Sequence, residues 1–187
     1  MSDKISFSTY AITLYFDDDT TEWIRTLTAQ LSDVTGNDFM TANNVPPHLT
    51  VGMFHVGEAD VEKLIALFEE FVTAVREGES IFDISFSGFE SFLDKVIFIK
   101  PVVDENLAAL NRILHEKFLP DFEPADNRNY LPENWYPHIA LGVKLTHEQF
   151  ESGMEFLKNQ PLGRCAHITT IGLACCNPYT PILDSKI

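Results

Sequence analysis

The chain has 187 residues, of which 45% are hydrophobic and 22% are charged, an ordinary composition for a globular protein. Lys and Arg number 13 and Asp and Glu 28, so the net charge is −15. A surface this acidic excludes nonspecific binding of long nucleic acids, which needs many cations facing phosphates. No apolar run approaches the ~18–20 residues of a membrane span, and the first residues lack a signal-peptide pattern. We expect a cytoplasmic protein without a membrane partner, and a monomer.

The first half of the chain alternates between strand and helix patterns. Residues that alternate between apolar and polar predict strands, and apolar residues three and four apart predict helices. The polar stretch 36–45 fits neither pattern and is predicted to be a loop. In chain order the predicted elements are a strand over 10–16, a helix over 23–34, a strand over 48–53, a helix over 61–75 and a strand over 82–88.

The second half repeats this order. Between its first helix and its second strand lies 119–135, which Pro and Asn residues break up too much for a regular element. A long loop in a compact domain is commonly a functional lid, and its place before the second motif favours that interpretation over a plain insertion. The predicted elements are a strand over 96–100, a helix over 107–118, a strand over 138–143, a helix over 150–157 and a strand over 166–172.

An internal repeat underlies the common order. Pro47-His48-Leu49-Thr50-Val51-Gly52 aligns with Pro137-His138-Ile139-Ala140-Leu141-Gly142, 90 residues later. The repeats, roughly 5–90 and 91–176, predict one bilobal domain over 1–187 in which they intertwine or pack as a unit. The predicted class is α+β: a duplicated fold with two mainly antiparallel sheets, outer helices and a central groove, related by a pseudo-twofold axis.

The two motifs present their histidines in the same way. Alternate side chains of a strand share a face, so His48 and Thr50 face away from the apolar Leu49 and Val51. His138 and Ala140 are in the equivalent positions of the second motif. If the apolar faces pack under the helices, both histidines line the groove.

Two imidazoles facing one groove suit acid–base chemistry on a phosphodiester. A neutral ring takes a proton from the attacking oxygen, and a protonated ring gives one to the departing oxygen. An ordinary histidine pKa near 6.5 makes both forms available near neutral pH, and a nearby hydroxyl such as that of Thr50 can donate to a phosphate oxygen. This chemistry needs no metal, and no histidine or cysteine spacing predicts a metal or cofactor site. The alternative is that the repeat is purely architectural.

The two Pro-His motifs resemble the paired His-x-Thr/Ser motifs of the 2H phosphoesterase superfamily. This superfamily includes 2′-5′ RNA ligase-like proteins and cyclic phosphodiesterases. The element order resembles that superfamily over nearly the whole chain. The resemblance implies metal-independent chemistry on 2′,3′-cyclic phosphates, 2′-5′ linkages or related cyclic nucleotides. It implies that His48 and His138 are the catalytic acid–base pair and that Thr50 binds phosphate, without assigning which histidine is the acid.

One position departs from the superfamily pattern. Ala140 stands where the second Thr or Ser is expected, so one hydroxyl donor is missing. Tyr136 is the first candidate to replace it as a substrate-binding residue, because it lies two residues before His138 on the same predicted face. The other candidates are Lys100, Lys144, Arg128 and a bound water. Phe54 shares the predicted face of His48 and is a candidate for base stacking.

The sequence supports three hypotheses for the function. The first is a hydrolase that opens a cyclic or 2′-linked phosphodiester of a nucleotide or short oligonucleotide. The second is a nucleotide- or phosphate-binding protein of the same fold, in which Ala140 marks weakened catalysis. The third, ligation of RNA ends by the reverse chemistry, is disfavoured by the negative charge.

Overall fold

The computed structural model describes residues 7–78, 83–162 and 165–187. Within these ranges the chain forms eight strands, five helices and two short 3₁₀ turns. The strands are β1 (Phe7–Phe16), β2 (Leu49–Gly57), β3 (Asp83–Phe92), β4 (Val96–Pro101), β5 (Glu123–Pro124), β6 (Ile139–Gly142), β7 (Cys165–Cys176) and β8 (Tyr179–Lys186). The helices are α1 (Asp18–Thr35), α2 (Phe39–Ala42), α3 (Val61–Glu77), α4 (Glu105–Phe118) and α5 (His147–Leu157).

Local sequence determines where the long helices begin. Asp17 caps α1 by accepting the Thr20 amide at 2.8 Å, and Asp104 caps α4 by accepting the Leu107 amide at 2.8 Å. These two caps occupy equivalent places in the two repeats. A capping box at the start of α5 is formed by Thr146 and Gln149. Each cap satisfies amide groups that the first helical turn leaves without partners.

The α+β class and the antiparallel pairing of the strands are confirmed. The path of paired strands runs β5-β2-β1-β7-β3-β4-β6, and β8 pairs with the other side of β7. The two predicted sheets are thus joined through a short contact between β3 and β7, which spans only three residue pairs. Every pairing in this path is antiparallel.

The two repeats exchange their last strands. β7, from the second repeat, pairs with β1 of the first, while β3, from the first repeat, pairs with β4 of the second. The central order β2-β1-β7-β3-β4-β6 is therefore the one that a twofold relation between the repeats would give. The single intertwined domain remains a proposal, and this exchange of strands supports it. Residues 5, 6 and 79–82, which fall within the predicted repeats and the third predicted strand, lie outside the described ranges.

The helices are exchanged in the same manner. α3 and α4 pack on β2 of the first lobe, while α1 and α5 pack on β6 and β4 of the second. The core beneath them is built from aliphatic and aromatic side chains, and Leu49, Val51, Ile139 and Leu141 of the motif strands are almost fully inaccessible. The apolar faces of both motifs therefore face the helices, as the alternation predicts. No helix in the described ranges is long and apolar enough to cross a membrane.

The strand pattern breaks near the end of each motif. The register of β2 against β1 shifts between Thr50 and Gly52, and that of β6 against β4 shifts between Ala140 and Gly142. A β-bulge places one extra residue in a strand and moves the later side chains to the opposite face. The prediction that Phe54 shares the face of His48 is therefore wrong: Phe54 is fully buried and packs against other core rings.

The segment 119–135 is held firmly against the first lobe. The Ala125 amide donates to the Met53 carbonyl at 2.9 Å, and the Trp135 indole donates to the Thr50 carbonyl at 3.1 Å. The buried Asn111 side chain of α4 donates to the carbonyls of Val51 and Tyr130. These bonds attach the segment to β2, the strand of the first motif, and to α4. It also contains β5 and a 3₁₀ turn, and the predicted loop 36–45 contains the short helix α2.

Candidate active site

The two motif histidines have the same hydrogen-bond arrangement. His48 Nδ1 lies 2.7 Å from the Pro46 carbonyl oxygen, and His138 Nδ1 lies 3.0 Å from the Tyr136 carbonyl oxygen. A carbonyl oxygen can only accept, so Nδ1 of each ring carries the hydrogen. Nε2 is then the atom of each neutral ring that can take up a proton. Both side chains are half-buried at the start of their strands.

Burial lowers the pKa of both rings. For His48, burial is the main cause, and the proximity of His138 lowers the pKa further, while the bond to the Pro46 carbonyl acts in the opposite direction. For His138, the bond to the Tyr136 carbonyl and the charge of Asp126 oppose the effect of burial on the pKa. The influence of His138 on His48 places the two imidazoles in one electrostatic environment.

A cavity of about 490 Å³ lies beside His138. Aromatic rings support the imidazole there, with the Phe92 centroid at 5.0 Å and the Phe98 centroid at 5.5 Å. The volume falls within the usual range for small-ligand sites. We call this the catalytic cavity; it is lined by Phe92, Leu93, Val96, Asp126, Asn129, Tyr130, Asn134, Tyr136, His138, Ala140 and Val143.

Tyr130 connects the two motifs. Burial, together with the charges of Asp126 and Cys176, raises the pKa of its phenol, and a hydrogen bond from the Thr50 hydroxyl acts in the opposite direction. The Tyr130 ring also lies 6.5 Å from the His138 ring, measured between centroids. Tyr130 therefore keeps its proton near neutral pH, with its hydroxyl interacting with Thr50 and its ring beside His138.

Tyr136 lines the same cavity, but its hydroxyl is already engaged. It donates to the Glu90 carboxylate, which also binds Lys100 at 2.8 Å. The Lys100 ammonium lies 4.8 Å from the centre of the Tyr136 ring. Tyr136 thus offers the cavity its ring, while both its hydroxyl and Lys100 have partners.

The remaining candidates for replacing the missing hydroxyl lie elsewhere. Lys144 lies beyond the end of β6 and places its ammonium 4.0 Å from the centre of the Phe39 ring. Arg128 lines a separate cavity that it shares with His115. Among the described residues, no group of three or more His, Cys, Asp or Glu side chains is arranged to hold a metal ion.

Comparison with known proteins identifies the family. The model of the 2′-5′ RNA ligase superfamily matches residues 16–174. The chain belongs to this superfamily. Two solved structures share its fold. Escherichia coli LigT complexed with 3′-AMP has a TM-score of 0.65 and 16% identity, covering 97% of this chain and 99% of LigT. LigT in its apo form has a TM-score of 0.58 and 15% identity, covering 96% and 97%. No curated protein matches the sequence.

The candidate site residues His48, His138 and Thr50 were proposed from the sequence, whereas Tyr130 and Asp126, which line the cavity beside His138, were not. Both lie in 119–135, whose interruption by proline marks it as irregular without indicating which side chain points inward. Asp126 adopts a positive φ of 51°, and the two residues after it also have positive φ. Residue propensities do not predict such a backbone. The one available signal for Tyr130 was that it is an aromatic residue in a segment expected to cover the site.

Proposed function

We propose that the protein is a metal-independent phosphodiesterase that opens a 2′,3′-cyclic or 2′-5′ phosphodiester of a nucleotide or short oligonucleotide. The observation that carries the proposal is the matched pair of histidines, each with Nδ1 held by a carbonyl and Nε2 left for proton transfer. Membership of the superfamily supports phosphoesterase chemistry at this pair.

The two rings take different roles in the proposed reaction. Asp126 favours the protonated form of His138, whereas the proximity of His138 disfavours that of His48. His48 then accepts a proton from the attacking water as the new P–O bond forms. His138 gives its Nε2 proton to the ribose oxygen as the old P–O bond breaks. The pair ends with its protons exchanged and returns to its starting state through solvent.

Hydroxyl groups on the Thr50 side of the site stabilise the phosphate. We propose that Thr50 and Tyr130 donate to its non-bridging oxygens, while the position of Ala140 contributes no donor. The effect of Thr50 on the pKa of Tyr130 supports this pairing of donors. Donors aimed at the charge that develops on phosphorus lower the barrier more than they favour the bound substrate.

The nucleoside occupies the apolar part of the catalytic cavity. Phe92, Leu93 and Tyr136 line that part, and Leu93 is 90% exposed at the tip of the β3–β4 hairpin. Aromatic rings stack on any base with little selectivity. LigT, of the same fold, was crystallised with 3′-AMP. A nucleoside 3′-phosphate is the product of opening a 2′,3′-cyclic phosphate at its 2′-oxygen.

Turnover of a substrate panel in EDTA tests the proposal. The panel holds the four nucleoside 2′,3′-cyclic phosphates and a 2′-5′-linked dinucleotide, with products separated as 2′- and 3′-phosphates. We expect turnover that chelator does not affect. Activity that EDTA removes and a divalent ion restores would contradict the mechanism.

The second candidate is a nucleotide-binding protein, and Ala140 favours it. A hydrogen bond to a charged group contributes roughly 1.5–3 kcal/mol, so an uncompensated loss would slow the reaction roughly 10- to 150-fold. Tight binding of the nucleotides without turnover of any panel member would identify this function.

A further inference from the structure

A second cavity, of about 440 Å³, lies at the free edge of β6. β6 pairs with β4 on one side, and no strand in the described ranges pairs with the other. Arg25 and Thr28 of α1, Asn44 and Pro47 before β2, and Ala140 of β6 all line this space. We call it the edge cavity. Ala140 also borders the catalytic cavity, so the two spaces meet at this residue.

Three of the polar side chains that line the edge cavity are unengaged within the described part of the chain, whereas a fourth, Thr41, donates its hydroxyl to the Asp38 carbonyl oxygen at 3.0 Å. Arg25, Thr28 and Asn44 make no side-chain hydrogen bond or ion pair with any residue in the described part of the chain. No carboxylate lines the cavity, although Asp and Glu outnumber Lys and Arg by 28 to 13 in the sequence. A lone guanidinium with two neutral hydrogen-bonding side chains is suited to an anion, and above all to a phosphate.

The equivalent position in the other lobe has no such unengaged arginine, so the edge cavity is not a general consequence of the repeated fold. Counted from the caps Asp17 and Asp104, Arg25 corresponds to Arg112, which pairs with Glu105 at 2.8 Å. By the same count Ile24 corresponds to Asn111.

Asn111 closes the equivalent strand edge by donating to the Val51 carbonyl at 2.8 Å. The Trp135 indole completes the closure at the Thr50 carbonyl. Ile24 has no such donor, so the edge beside Ala140 stays open where its counterpart beside Thr50 is filled.

We infer that the edge cavity binds a second phosphate of the substrate, carried on the 5′ side of the nucleoside whose phosphodiester reacts at His138. The inference rests on the proposed function. Residues two apart on a strand are separated by ~6.6 Å, so a substrate must extend by only about one nucleotide unit from His138 to pass Ala140. Arg25 supplies the charge, and Thr28 and Asn44 supply hydrogen bonds. The preferred substrate is then a 5′-phosphorylated nucleotide or a short oligonucleotide.

Calorimetric titration with two stable ligands tests this inference without turnover. Adenosine 3′-monophosphate occupies only the catalytic cavity, and adenosine 3′,5′-bisphosphate also reaches the edge cavity. The wild type is expected to bind the bisphosphate about tenfold more tightly, the lower range for a charge-assisted hydrogen bond at an exposed side chain. Arg25→Gln should remove this preference and leave the affinity for the monophosphate unchanged. Arg112→Gln, the repeat-equivalent control, should keep it.

Equal affinity of the wild type for the two ligands, or a preference that survives in Arg25→Gln, would overturn the inference. Failure of both ligands to bind would overturn it as well. A turnover assay distinguishes failure of this inference from failure of the proposed function. If adenosine 2′,3′-cyclic phosphate is hydrolysed equally well with and without a 5′-phosphate, the phosphodiesterase stands and the second phosphate site falls.

Discussion

His48 and His138 are oriented by the same contact, a bond from Nδ1 to the carbonyl oxygen two residues earlier. The contact fixes the tautomer and directs Nε2 away from the backbone. In both motifs a proline separates the histidine from the residue whose carbonyl oxygen its ring binds. The repeated Pro-His sequence therefore gives two imidazoles with the same hydrogen-bond arrangement and with Nε2 of each ring free of this carbonyl contact.

Restoring the second hydroxyl should accelerate the enzyme. Ala140 is half-buried and borders two cavities, so a threonine at this position has room. We expect Ala140→Thr to raise kcat at least about tenfold, the effect of one hydrogen bond to a charged group. The matched control is Ala140→Val, which adds similar bulk without a donor. Equal rates for the two variants in steady-state assays would show that no hydroxyl is lacking.

Removing the Tyr130 hydroxyl should have the opposite effect. Tyr130→Phe keeps the ring beside His138 and deletes the group that meets Thr50. We expect kcat to fall about tenfold, and the loss in the double variant with Thr50→Val to be smaller than the combined single losses. Tyr179→Phe is the control, because that hydroxyl pairs with Tyr15 at 2.7 Å instead. Wild-type kcat in Tyr130→Phe would exclude Tyr130 from phosphate binding.

The pH optimum should lie on the acid side of the ordinary histidine range. Activity needs one neutral and one protonated ring, so it falls below the lower pKa of the pair and above the higher one. Burial lowers the pKa of both His48 and His138. The kcat/KM profile should therefore be bell-shaped, with its maximum below about pH 6.5. A maximum well above that value would contradict the burial of the pair.

Stability should also fall in acid because of a third histidine. His115 of α4 is 2% exposed, and its Nε2 has no hydrogen-bond partner among the described residues. Burial lowers the pKa of His115, against the bond to the Asn111 carbonyl and the charge of Glu133. The unfolded chain therefore takes up this proton at a higher pH than the folded one. The contribution of neutral His115 to the free energy of unfolding is therefore fully present above about pH 6.5 and is lost as the pH falls below that value.

Denaturant titrations at two pH values measure this effect. The free energy of unfolding should fall in both proteins when the pH is lowered from about 7 to about 5.5. The decrease should be smaller in His115→Phe than in the wild type, by roughly 1 kcal/mol. His48 and His138 contribute a loss of the same sign, so some acid sensitivity remains. An unchanged pH dependence in His115→Phe would show that His115 takes up its proton at the same pH in the folded and the unfolded protein.

Local patterns in the sequence predicted much of the fold. Alternation and helical spacing identified the long strands and helices, and the shared Pro-His motif indicated His48, His138 and Thr50 as the candidate site residues. The α+β class was predicted from the order of these elements. Each of these features depends on residues close together in the chain.

The features that sequence reasoning missed depend on distant partners. The bulge at Val51 and Gly52 arises from the pairing of β2 with β1, and it turns Phe54 into the core. β8 contains Pro181 and lacks a clear alternation of apolar and polar residues, so its own sequence does not predict a strand. It is extended because it pairs with β7. Tyr130 reaches the site because Asn111 and the strand β2 hold its segment in place. No local pattern records such contacts.

The most direct test of the two-histidine mechanism compares His48→Ala and His138→Ala with the wild type, in EDTA, on a nucleoside 2′,3′-cyclic phosphate. His55→Ala is the control, because His55 lies exposed on the same strand as the first motif. We predict that each motif variant loses at least about 100-fold in kcat, that the control retains wild-type turnover, and that all three variants unfold cooperatively. A motif variant that stays within a few-fold of the wild type would contradict the mechanism.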